Sequence, residues 1–401
     1  MQDPLSLSRR LSGLLTIAAL AAVTTVSNAS AQNAQDLLIR SKRITISPET
    51  TLDDGRLLVR NGKIAYVGDE IPTEASSRAR VVDYGDATIV PGFVLAYATL
   101  GQDANLAESA FAFTPDLLVA EGIDAWSDEI ERLPQSGVTA AAMAPSERQL
   151  AGGIAALIKP TADHATVAIA ELHLGMSLTT NARSQDRPPT SLMGAIDMAR
   201  TGFADAKLGV RTGADMAVLR QVLDGSRKVF VRANTAREIR AVLDLGKEFG
   251  FEPVIVGGAE VGDYLPRLAA QKVGLVLGTL TPESKLEQLA LPAQLSKLGI
   301  PFAFSGQPEQ LRLTAALAVQ HGLDRRSALN ALTRSPATLL DQQKTVGSLR
   351  VGNDADFVVF SGDPIDLTSR HLATWIGGQR RSGAAPSPAT DKPATSAAGG
   401  L

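Results

Sequence analysis

The stretch from Val229 to Val256 reads VFVRANTAREIRAVLDLGKEFGFEPVIV. It opens on the short apolar run Val229 to Ala233 and closes on a second, Pro253 to Val256, while residues 236–249 between them carry apolar side chains three and four apart. A short apolar run bounded by turn residues reads as a buried strand, and the 3.6-residue period reads as an amphipathic helix. Strand, helix and strand in this order are the repeating unit of a parallel α/β sheet. Working outward, the texture recurs. Val138 to Met143, Val273 to Leu277 and Pro301 to Phe304 read as further buried strands, and residues 262–271, 283–298 and 308–321 as further helices. So many units between about 91 and 340 favour an α/β fold of the (β/α)8 TIM-type barrel class.

The flanks read differently. Val59-Arg60-Asn61-Gly62-Lys63-Ile64 places an Asn-Gly pair between two strand-like runs, which is a type I′ hairpin signal. Arg80 to Asp83 and Ala87 to Val90 read as two more short strands before Pro91-Gly92. Past the barrel, Asp356 to Phe360 is an apolar strand and Trp375 to Arg380 a hairpin. A β segment on each side of a barrel suggests that residues 32–90 and 341–382 join in one small composite β-sandwich. The tail 383–401, rich in Ala, Pro, Ser and Gly, reads as disordered.

At the N-terminus, Arg9 and Arg10 precede an apolar run from Leu14 to Val26, and Ala29-Ser30-Ala31 supplies small residues at cleavage positions. That layout is a secretory signal peptide over residues 1–31, cut after Ala31. The run is shorter than the roughly 20 residues a membrane span needs. The expectation is an exported protein, in the bacterial periplasm, free of the membrane once cleaved.

Among 401 residues, 39 are basic and 42 acidic, a net charge of -3 that gives no electrostatic reason for a nucleic-acid partner. With no cysteine, thiol catalysis, disulfides and cysteine-ligated metal are excluded. Only four histidines occur, His164, His173, His321 and His371. The chain carries no G-x-S-x-G, H-E-x-x-H, Walker or G-x-G-x-x-G motif.

Leu57 to Gly68, followed by Ile89-Val90-Pro91-Gly92-Phe93-Val94, resembles the opening of the amidohydrolase superfamily. Val346-Gly347-Ser348-Leu349-Arg350-Val351-Gly352-Asn353-Asp354-Ala355-Asp356-Phe357 resembles its closing segment, and Thr235 to Tyr264 the mid-barrel region of its imidazolonepropionase-related branch. The resemblance spans roughly residues 37 to 381. It implies a barrel with one or two divalent metals, zinc or another, at the C-terminal strand ends, where a metal-bound hydroxide attacks a carbonyl carbon. The ligand positions that it implies are changed throughout. On the first strand, where the family has His-x-His, stand Tyr97 and Thr99. Arg232, with Asn234 nearby, replaces the fifth-strand histidine. Gly257 stands at the sixth-strand histidine, and Gly306 or Gln307 at the eighth-strand aspartate. A guanidinium in such a place repels a divalent cation, so the expectation is a vestigial pocket without metal.

Other residues offer little. Glu171 and His173, two apart on a candidate strand, would need a third group to hold a metal, and a surface pair is the plainer reading. Glu260 and Asp263 follow the sixth strand, as a lone acid or base or as salt-bridge partners. Arg232 and Asn234 suit a small anion, or an internal ion pair with Glu260. Three functions stay open: an inactive paralogue that supports an active amidohydrolase as a homo- or hetero-oligomer, a binder of a small carboxylate or amide, and a hydrolase of non-peptide carbon–nitrogen bonds or small peptides with a rebuilt site.

Overall fold

The computed structural model describes residues 36–72, 77–100, 106–161 and 164–384. The expected signal peptide and nearly all of the expected tail lie outside them.

Both flanks meet in one eight-stranded sheet. β1 (Leu37–Ser47), β2 (Thr50–Arg60), β3 (Lys63–Gly68), β4 (Arg80–Asp83) and β5 (Thr88–Pro91) come from the N-terminal side. The order runs β18-β17-β16-β5-β1-β2-β3, where β16 (Phe357–Phe360), β17 (His371–Ile376) and β18 (Gln379–Gly383) come from the C-terminal side. Phe357 pairs with Pro91 and Phe360 with Thr88, so the two ends of the chain share a ladder. Asn61 and Gly62 turn with φ of 50° and 75°, as a type I′ turn requires. Ile39, Leu57 and Val59 share a buried cluster with Phe357, Val359 and Trp375, so the sheet curls over one apolar face.

The barrel wall is built from β6 (Phe93–Ala98), β7 (Val138–Met143), β8 (Ala151–Ile154), β9 (Ala156–Pro160), β10 (Ala165–Ile169), β11 (Leu174–Ser177), β12 (Val229–Ala233), β13 (Pro253–Gly257), β14 (Gly274–Leu277) and β15 (Phe302–Phe304). β11 to β15 run parallel in sequence order, and β6 runs parallel to β7. β8 and β9 together make the third stave, antiparallel to β7 on one side and to β11 on the other. Ser305 Oγ donates to the Tyr97 carbonyl and links the end of β15 to β6. Seven staves therefore point the same way and one is reversed, because the chain between β7 and β11 turns back as a hairpin instead of passing through a helix.

Strand alternation divides the core in two. Val94, Ala96, Ala140, Phe230, Val254, Val276 and Ala303 face the barrel interior, which Leu339, Leu340 and Val346 close at the N-terminal end of the strands. Leu95, Met143, Val231, Ile255, Leu275 and Phe304 face outward onto helices. Those helices are α1 (Asp128–Glu131), α2 (Leu192–Leu208), α3 (Ala214–Leu223), α4 (Ala236–Phe249), α5 (Leu265–Ala270), α6 (Leu286–Lys297), α7 (Leu311–Gln320) and α8 (Arg325–Leu332), whereas α9 (Arg334–Leu339) carries Leu339 into the interior plug. α4 matches the expected range. Its start is set by a capping box, in which Thr235 Oγ1 accepts from the Glu238 amide and Glu238 Oε2 accepts from the Thr235 amide. Its buried face carries Ile239, Val242, Leu243 and Leu245, each such side chain contributing about 1.5–3 kcal/mol on leaving water. α2 gave no clear stripe in the sequence because its buried seam is mostly small: Ala195, Ala199, Gly202 and Ala206 beside Phe203. A Cβ at Gly202 would lie 2.6 Å from Phe113, which explains the small residue there.

Candidate functional site

At the C-terminal end of the strands the barrel opens into a cavity of ≈ 290 Å³. Tyr97, Thr99, Arg232, Gly257, Gly306 and Gln307, six of the residues picked out by the sequence, line it together. Asn234 and Glu260 do not. The Asn234 side chain lies behind Gly257, where a Cβ would come within 2.1 Å of its Oδ1. Glu260 is exposed, and its Oε2 accepts from the Ala236 amide at 2.9 Å, at the start of α4.

Arg232 follows Phe230 on the inward face of β12 and reaches into the mouth. Its Nε lies 2.6 Å from Glu147 Oε2, at an angle that makes the contact ionic and leaves Nε enclosed without a hydrogen bond. The guanidinium carbon sits 5.8 Å from the centroid of the Tyr97 ring, within cation–π range. Burial pushes the Tyr97 hydroxyl above its ordinary pKa; Arg232 pulls against this and Glu147 adds to it. The expected Arg232–Glu260 pair is therefore replaced by Arg232–Glu147. Glu147 lies on the loop after the second stave, a position whose promise only the barrel geometry reveals.

Glycines hold the sixth- and eighth-strand positions for steric reasons. Gly257 and Gly306 have φ of 96° and 115°, outside the comfortable range of residues with a Cβ. A Cβ at Gly306 would come within 2.2 Å of Thr279 Oγ1. Asn234 and Thr279 have thus taken the volume that side chains at 257 and 306 would need. Thr279 and Ser305, which also line the cavity, went unrecognised as pocket residues because their lone hydroxyls carry no sequence signature.

The mouth offers hydroxyls, amides, backbone groups and one guanidinium. Divalent zinc takes imidazole, thiolate or carboxylate donors, and this lining does not fit that set. Among the described residues, no group of three His, Asp or Glu side chains could hold a metal.

The Glu171–His173 pair does not form. Both residues precede β11. Glu171 is exposed and bonded to Arg227 at 2.7 Å, whereas His173 is 1% exposed at the opposite end of the barrel from the mouth. There its ring stacks on Phe230, centroids 3.8 Å apart, with neither nitrogen hydrogen-bonded. Burial, helped by nearby Arg227, lowers its pKa to about 3. His164 is exposed against Trp126, Asp263 is exposed, His321 caps α7, and His371 bonds Thr374 on β17, outside the barrel.

Comparison with known proteins places this geometry. A model of the amidohydrolase family matches residues 309–381. Amidohydrolase tasK of Hapsidospora irregularis is 23% identical over 388 residues, covering 81% of this chain. The chain spans 39% of that protein's length. An amidohydrolase from Thermotoga maritima has a TM-score of 0.77 and 26% identity, over 86% of this chain and 99% of its own. Phenylurea hydrolase B, at a TM-score of 0.54 and 15% identity over 86% and 96%, shares the fold. So does a prolidase complexed with N-methylphosphonate-L-proline, at 0.55 and 15% over 86% and 99%. The fold and both end motifs define a barrel of the amidohydrolase type. In sequence and in fold the chain is similar to the amidohydrolases.

Proposed function

We propose that this chain is a member of its superfamily that has given up metal-dependent hydrolysis and keeps the barrel mouth as a binding site for a small carboxylate or amide. The observation that carries this reading is Arg232. A fixed positive charge, held by Glu147 at 2.6 Å, stands where the resemblance puts a metal-ligating histidine. A divalent cation brought beside it would find Glu147 already paired and would have to displace the guanidinium to gain that carboxylate. The crowding of Asn234 against Gly257 and of Thr279 against Gly306 supports the same reading.

The protein works after export. The sheet begins at Leu37, so cleavage after Ala31 leaves the fold whole. A second reading, a hydrolase of non-peptide carbon–nitrogen bonds with a rebuilt site, is favoured by the amidohydrolases to which the chain is similar.

Metal content separates the two readings. The mature protein, purified without chelators and incubated with zinc or manganese, is measured by elemental mass spectrometry. Retention below about a tenth of an equivalent is expected, because binding needs converging deprotonated ligands. A stoichiometric, tightly held metal would overturn the proposal and make the hydrolase reading the leading one.

A further inference from the structure

Beside the Arg232–Glu147 pair lies a larger cavity of ≈ 1050 Å³, formed by the loops that follow the first, second and fourth staves. Glu147 lines this cavity and its partner Arg232 lines the mouth, so the ion pair stands between the two spaces. Three arginines, Arg148, Arg183 and Arg187, face three acids, Glu108, Glu147 and Asp186. Two of the six have charged partners outside this lining: Arg183 bonds Glu238 at 2.9 Å, and Glu147 holds Arg232.

Arg148 and Arg187 form no salt bridge among the described residues. They are tied to each other instead, since Arg187 Nη2 donates to the Arg148 carbonyl at 2.7 Å. Arg187 Nη1 is enclosed without any hydrogen-bond partner. An enclosed cationic N–H carries a desolvation penalty that only an acceptor relieves. The planar fork of a guanidinium is matched by a carboxylate.

We propose that Arg187 and Arg148 form a carboxylate subsite, receiving one carboxylate of a small ligand whose remainder extends past Arg232 into the barrel mouth. This rests on the binding role proposed above and names the ligand's chemical class. The lining acids restrict that class. Glu108 and Asp186 offset the two arginines, so a dianion such as phosphate gains little, while a single carboxylate on a neutral or cationic body is matched on both sides.

The mature chain is titrated by calorimetry with acetate, N-acetylglycine and inorganic phosphate. N-acetylglycine is expected to bind most tightly, and phosphate at least tenfold more weakly. Arg187→Gln and Arg148→Gln should each weaken N-acetylglycine tenfold or more while leaving the unfolding temperature in place. Arg187→Lys should restore binding only in part, because an ammonium lacks the fork. If Arg187→Gln fails to fold, Arg148→Gln carries the test. Saturation by none of the probes, a preference for phosphate, or indifference to both substitutions would overturn the subsite. A metal-loaded protein that still binds N-acetylglycine through Arg187 would sink the proposed function and spare the subsite. A metal-free protein that binds no probe would overturn the subsite and leave the loss of metal chemistry standing.

Discussion

The two ends of the barrel handle charge in opposite ways. At the N-terminal end of the strands a charged cluster is packed beneath the barrel. Lys159, on β9, reaches Asp354 and lies 2.6 Å from Asp356, which is 3% exposed. Lys63 adds a bond to Asp354 at 2.7 Å, and the Gly377 amide donates to Asp356. Burial acts to lower the Lys159 amine, yet the two aspartates outweigh it and raise its pKa. Burial raises the Asp356 carboxyl, with Lys159 opposing. At the C-terminal end, Arg232 and Glu147 are each about 30% exposed, form one contact, and border two cavities. The Lys159 cluster joins barrel to sheet and lines none of the cavities described above. The open end holds its charges loosely and keeps space. Position along the strands, not residue type, separates a structural ion pair from a candidate site.

The largest expected effect lies at the packed end and depends on pH. His173 has a folded pKa of about 3, below the ordinary 6.5. Protons therefore bind the unfolded chain first. The contribution of this neutral ring to stability is complete above pH 6.5 and is lost as the pH drops through 6.5 towards 3, by roughly 4–5 kcal/mol. Denaturant unfolding of His173→Phe at several pH values should show a shallower slope across that window. An unchanged slope would mean that the ring is not enclosed as described. Next comes Lys159→Met, which leaves Asp356 buried and unpaired and should cost about 3–5 kcal/mol by urea unfolding. A loss under about 1 kcal/mol would place this cluster with ordinary surface pairs and erase the contrast between the two ends. The smallest effect is expected at the mouth. Tyr97→His combined with Thr99→His should create no metal-dependent hydrolysis, because Arg232 and the crowded Gly257 and Gly306 stay in place. Turnover dependent on added zinc in that double variant would show that the mouth still accepts a metal.

The second half of the barrel was legible because its period was clean. β12 and α4 have the expected ranges, and β13 to β15 differ only at their ends, since each carries a run of large apolar residues. The reversed third stave was not legible. β8 and β11 contain Gly152, Gly153 and Gly175, and a Cβ at Gly175 would lie 2.4 Å from Pro145. Glycines chosen for close approach carry no periodicity, so neither strand nor direction could be read. Of the mouth, the strand-end residues were found through the resemblance. Glu147, Arg148 and Arg187 were not, because they come from loops whose convergence depends on how the staves are arranged.

From sequence alone came the α/β class, the joining of the two flanks and the lack of cysteine, and the resemblance added which residues stand at the strand ends. These are local properties: a period, a turn pair, the identity of a side chain at a motif position. Only the tertiary structure decided that Arg232 pairs with Glu147, that His173 is a core residue far from the mouth, and that Asn234 and Thr279 fill the space beside Gly257 and Gly306. Each of those is a contact between residues distant in the chain, set by packing density and strand order, which no local pattern encodes.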